Sequence, residues 1–93
     1  MNIDKKIYNL DTVLSLEYGE IVLHLEKMAD IKLDIFFTML NLDENSYEFE
    51  LYSIQCHYLQ INIDVFLEAL DIIEKNLVRS INCKGNNFQL SLN

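Results

Sequence analysis

Residues 20–41 read EIVLHLEKMADIKLDIFFTMLN, and two periodicities compete for them. In steps of two, Ile21, Leu23 and Leu25 alternate with Val22, His24 and Glu26. Further on, Ile31, Leu33, Ile35, Phe37 and Met39 alternate with Lys32, Asp34, Phe36 and Thr38. In helical steps, Ile21, Leu25, Met28, Leu33, Phe36 and Leu40 lie near one stripe, with Lys27, Asp30, Asp34 and Thr38 opposite. β-Branched and aromatic residues are frequent here, and such side chains suit a pleated, half-buried surface. The strand reading is therefore preferred, and it sets the expected fold.

Working outward, Leu14, Leu16 and Tyr18 alternate with Ser15 and Glu17 ahead of Gly19. Two alternating runs around a glycine predict a β-hairpin. Residues 41–46 are polar and predict a loop. Phe49 and Leu51 then alternate with Glu48, Glu50 and Tyr52, and the run continues through Ile54, Cys56 and Tyr58. From residue 63 the period changes. Ile63, Phe66, Leu67, Leu70, Ile73 and Leu77 have helical spacing, with Asp64, Glu68, Asp71 and Lys75 on the other face. Asn62 is placed to cap this helix, and Asp64 and Arg79 suit its dipole. Gly85, Asn86 and Asn87 predict a turn, and Phe88, Leu90 and Leu92 a short last strand. The expected fold is α+β: an antiparallel sheet of four to five strands with one long C-terminal helix, residues 62–80, packed on one face. Residues 1–93 form a single domain in this reading, since no linker, repeat or low-complexity tract divides them.

Composition allows a core: 51% of the 93 residues are hydrophobic and 24% are charged. No apolar run suits a signal peptide. The longest uncharged stretch, residues 51–63, is too short and too polar for a membrane span, which needs about 20 apolar residues. Cys56 and Cys83 have no CxxC partner, so reduced thiols and a cytoplasmic location are expected.

Charge is the feature above background. The net charge is -8, opposite in sign to that of a nucleic-acid binder. From Leu33 to Glu74 there is no Lys or Arg, yet Asp34, Asp43, Glu44, Glu48, Glu50, Asp64, Glu68, Asp71 and Glu74 all fall there. Like charges at helical spacing cost a few tenths of a kcal/mol each. A field of one sign speeds encounter with an opposite surface by about 10–10³. Carboxylates can also stand where phosphates would, since arginine grips either one bidentately. A charged, solvated face kept for solubility alone is the plainer account of the same acids.

Chemistry is sparse. His24 and His57 show no HxxxH or HExxH spacing, and no phosphate-cradling glycine motif exists. Neither a metal, a cofactor nor an enzymatic activity is expected. The expectation is a small acidic inhibitor that neutralises a basic nucleic-acid-binding partner by covering its groove. The partner would be a nuclease toxin or a nucleic-acid-guided defence nuclease, and the chain an immunity protein or a phage-encoded inhibitor of the anti-CRISPR kind. The candidate contact residues are Asp43, Glu44, Tyr47, Glu48, Glu50, Tyr52, Asp64, Glu68 and Asp71, the tyrosines as apolar anchors. The alternative is a non-enzymatic assembly module, a possible homodimer joined through the edge of the Tyr52–Tyr58 strand.

Overall fold

The computed structural model describes the backbone of residues 5–92 and the side chains of residues 5–81. It contains three helices, and no strand occurs among the described residues. Helix α1 is Leu10–Leu14, α2 is Tyr18–Met39 and α3 is Tyr47–Leu92. The α+β expectation is thus overturned: the described chain is nearly all helical. Residues 63–79 are helical, but as the interior of α3. Asn62 is therefore no cap, and lies buried inside that helix. The expected turn at Gly85 and the strand after it lie within α3. The side chain of Cys83 lies outside the described residues.

The reason lies in turn chemistry and in pairing. A sheet of four or five strands needs several tight turns, which usually draw on Gly, Pro and left-handed residues. The chain has two glycines and no proline, and the described backbone shows no positive φ. Gly19 itself sits in the first turn of α2. A helical hairpin needs one connection, and residues 41–46 supply it. There the Asp43 carboxylate accepts from the Asn45 N–H at 3.0 Å. Ser46 then caps α3, its hydroxyl oxygen accepting from the Phe49 N–H at 3.1 Å.

Once helical, the two long segments offer matching stripes. On α3, Gln55, Leu59, Asn62, Phe66 and Ala69 are buried, spaced alternately four and three residues apart. That is the seam of a coiled-coil-like pair. On α2, Ile21 and Met28 are buried, and Leu25 and Ile35 pack against the same core. The helices run antiparallel. Tyr18 at the start of α2 donates its hydroxyl to Glu74, and Lys32, further along, donates to Gln60.

The short α1 completes the core with Val13. Asn9 caps it, accepting from the Asp11 N–H at 2.8 Å. Just before it, Asn62 accepts from the Tyr8 N–H at 2.9 Å and donates to the Lys6 carbonyl at 2.7 Å. The Tyr8 ring meets Phe66 edge-on at 5.0 Å and His24 at 6.3 Å. The N-terminal segment thus fills one flank of the hairpin.

The molecule is long, 63 × 25 × 17 Å, with a radius of gyration of 19.0 Å. A compact chain of this length would have a radius near 12 Å. The cause is α3, which at 46 residues is more than twice as long as the 22-residue α2. α2 begins at Tyr18, opposite Glu74, and past that point Leu77, Val78 and Ile81 are exposed. Among the described residues no helix is long and apolar enough to cross a membrane.

Candidate functional site: an acidic ridge on the long helix

The nine candidate residues divide into two groups. Asp43 and Glu44 are in the connection, and Tyr47, Glu48, Glu50 and Tyr52 occupy the first two turns of α3. Asp64, Glu68 and Asp71 follow further along the same helix, all exposed. No sheet face is involved, so the expected separation between a strand surface and a helix surface does not exist.

Helical geometry sorts them by direction. Glu50, His57, Asp64 and Asp71 recur every seven residues, close to two turns, so they share one line along α3. Glu68 lies one turn from Asp64 on the same side. All five are exposed, and they lie opposite the buried Leu59–Phe66 stripe. The line from Glu50 to Asp71 covers about 32 Å. Glu48 points elsewhere. It sits on the core-facing line of α3 near its start, where Tyr47, Glu48, Leu51 and Tyr52 border a shallow cleft of about 380 Å³. The structure therefore groups Tyr47, Glu48 and Tyr52 at the hairpin end. Glu50, Asp64, Glu68 and Asp71 form the ridge. His57, missing from the sequence-derived set, belongs to that ridge, and its seven-residue spacing from Glu50 and Asp64 was the available signal.

Local structure already employs several of these acids. Glu48 and Glu50 stand in the first turn of α3, where negative charge favours the helix dipole. Asp43 holds the connection. Asp64 accepts from the Gln60 amide at 2.8 Å. Asp71 pairs with Lys75 at 2.8 Å, and this contact holds the lysine's pKa above its usual value. The pair is largely solvent-exposed, so it adds little stability. It does trim the local charge, because Lys75 lies just past the base-free segment. The ridge keeps a net negative sign.

His24 is half-buried with its ring 5.5 Å from Phe66, a packing role rather than a ligand position. No group of three or more His, Cys, Asp or Glu able to hold a metal occurs among the described residues. Cys56 is half-buried on α3. Burial pushes its thiol pKa above the ordinary cysteine value, and the charge of Lys32 opposes this without cancelling it. A protonated thiol is a poor nucleophile. In a Cys83→Ser variant, alkylation of Cys56 should be slower at neutral pH than that of a free thiol and should reach its plateau at a higher pH. The sign for stability follows. The unfolded chain ionises at Cys56 at a lower pH than the folded chain does, so this group makes stability fall as pH rises from the ordinary thiol pKa towards the raised one. Labelling as fast as free thiol at pH 7 would contradict the assignment.

Comparison with protein-family models, curated proteins and solved structures finds no match for this chain.

Proposed function

We propose that this chain is a non-enzymatic binding protein that neutralises a basic partner by occupying its anion-binding groove. The observation that carries this reading is the ridge: Glu50, Asp64, Glu68 and Asp71 exposed along one side of a single helix, away from the core. Carboxylates held on a helix need no reorganisation to meet a row of arginines, and each such contact can be bidentate. The partner class is a nuclease toxin, a guided defence nuclease or another nucleic-acid-binding protein, whose groove is built for phosphates. An immunity protein or an inhibitor of the anti-CRISPR kind would work in this way in the cytoplasm. Asp43, Glu44 and the Tyr47–Tyr52 cleft would supply contacts at the hairpin end. The strand-edge form of self-assembly is set aside, because the Tyr52–Tyr58 segment is helical.

The test begins with capture from the native host at low salt, followed by association kinetics with the captured protein. Replacing Glu50, Asp64, Glu68 and Asp71 by their amides should slow association at least tenfold and flatten its dependence on salt. The same variant should lose competition with nucleic acid for the partner. On-rates that match wild type at both low and high salt would end this reading.

A further inference from the structure

The buried line of α3 changes character at the hairpin end. Glu48, Gln55, Asn62 and Ala69 recur every seven residues along it. The last three are buried, whereas Glu48 is exposed, so the seam runs out on a carboxylate. Around the helix, at about 100° per residue, the order is Tyr47, Leu51, Glu48, Tyr52, over an arc of about 140°. Leu51 and Glu48 therefore lie between the two tyrosines, and all four border the cleft of about 380 Å³.

The chemistry of this cleft suits a flat cation. Among the described residues neither tyrosine ring meets another aromatic ring or a cation, and the Glu48 carboxylate has no ion-pair partner. Tyr47 is 73% exposed, so the fold gains little from its ring. The charge around the cleft has one sign, with Asp43, Glu44 and Glu50 beside Glu48 in sequence and no Lys or Arg from Leu33 to Glu74. Lys32, the last base before that segment, donates to Gln60, twelve residues and about 18 Å along α3 from Glu48. The positive end of the α3 dipole, about half a charge, opposes a cation here, and four carboxylates outweigh it. The same chain already sets a cation over a tyrosine, with Lys6 Nζ 4.5 Å from the Tyr8 ring centroid.

We propose that the cleft takes one arginine side chain, a reading that rests on the function proposed above for the source of that arginine. The guanidinium plane lies against a tyrosine ring, its N–H groups donate to the Glu48 carboxylate, and its methylenes rest on Leu51. Arginine suits the site better than lysine, because a guanidinium is planar and more weakly hydrated than an ammonium. A quaternary ammonium needs rings on several sides, and the open arc between Tyr47 and Tyr52 does not enclose it. The two parts of the surface then divide the work. The ridge draws the partner in, and the cleft holds one of its side chains.

The probe is N-acetyl-arginine N-methylamide, titrated into the wild-type protein at constant ionic strength and followed by amide chemical shifts. Saturable shifts are expected at residues 47–52, with a Kd of about 1–10 mM. The lysine analogue and tetramethylammonium should bind at least about threefold more weakly. Tyr47→Leu and Glu48→Gln change exposed positions, and each should weaken binding about three- to fivefold, whereas Tyr47→Phe keeps the ring and should bind as wild type. In complex with a captured partner, Tyr47→Leu should speed dissociation about fivefold and leave association unchanged, the reverse of the ridge variant. A wild-type protein without saturable shifts overturns the proposal, and that measurement depends on no variant. So do shifts that grow in parallel at Asp64, Glu68 and Asp71, which report a diffuse field, and tetramethylammonium binding as tightly as the guanidinium. Unchanged dissociation of the Tyr47→Leu complex removes the partner's arginine from the cleft. Failure of the ridge variant to slow association would remove the proposed function alone, since the titration needs no partner.

Discussion

Phe66→Ala should lower the stability of this protein by about 3–5 kcal/mol. Phe66 has no exposed surface, and it meets the Tyr8 ring edge-on at 5.0 Å and His24 at 5.5 Å. One side chain thus joins α3, α2 and the N-terminal segment. Truncation removes the burial of a large ring and leaves a void that the helices cannot close without sliding along their seam. Three fully buried side chains of any size, Phe66, Ile21 and Val13, make up the centre of the described core. Small domains have about 5–15 kcal/mol in total, so the loss is a large part of the whole. Urea unfolding followed by circular dichroism reads it. Phe37→Ala, at an exposed position on α2, should cost no more than about 0.5 kcal/mol and serves as the contrast. A Phe66→Ala protein within 1 kcal/mol of wild type would show that the three elements do not meet at this ring.

Asn62→Leu should release the N-terminal segment while sparing the hairpin. The Asn62 side chain is 7% exposed and has both its functions filled: its oxygen accepts from Tyr8 and its nitrogen donates to the Lys6 carbonyl. Leucine keeps the branched four-atom skeleton of the side chain, with methyl groups bulkier than the amide, and it can form neither bond. Two main-chain groups lose their partner, at about 1–3 kcal/mol for each one that stays buried. The segment can avoid that cost by swinging out to water, which uncovers Phe66 and weakens the seat of α1. Hydrogen exchange should show lost protection at the Tyr8 amide, with protection in α2 and in the paired part of α3 retained. The global stability loss should be near 2 kcal/mol. Unchanged protection at Tyr8 would mean that Asn62 does not hold the segment.

Asn62 also shows why residue type alone misplaced a boundary. An asparagine before an amphipathic run is the ordinary mark of a helix start, and here it stands sixteen residues after the Ser46 cap. Its side chain does bond to backbone, but to Tyr8 and Lys6 and not to the first turn of a helix. The partner was a backbone segment more than fifty residues away, which no local window contains. The misreading of α2 has a related origin. Residues such as Ile21, Leu23, Leu25, Ile31, Leu33 and Ile35 populate so many positions that both a period of two and a period near 3.6 find support. The helical alternative grouped Ile21, Leu25 and Met28, which do face the core, with Leu33, Phe36 and Leu40, which are exposed. That mixture blurred the stripe.

The acids were legible in part. Their number and their separation from the bases are properties of the chain, and so is the seven-residue spacing of Glu50, His57, Asp64 and Asp71 once residues 47–71 are known to be one helix. Treating residues 48–58 as a strand concealed that alignment, because a pleat would send Glu48 and Glu50 to the same face. On α3 they point in nearly opposite directions.

By itself the amino-acid order determined the net charge, the polar connection at residues 41–46, the amphipathic helix over residues 63–79 and the absence of familiar catalytic spacings. Each is a matter of composition or of periodicity within a few turns. Only the tertiary structure decided that residues 18–39 and 47–62 are helical, that Asn62 anchors the N-terminus, and that Leu33, Phe36 and Leu40 stay exposed. Those outcomes rest on pairing between distant stripes. Backbone preference for helix or strand differs by less than about 1 kcal/mol per residue, whereas a shared core such as the one around Phe66 is worth several.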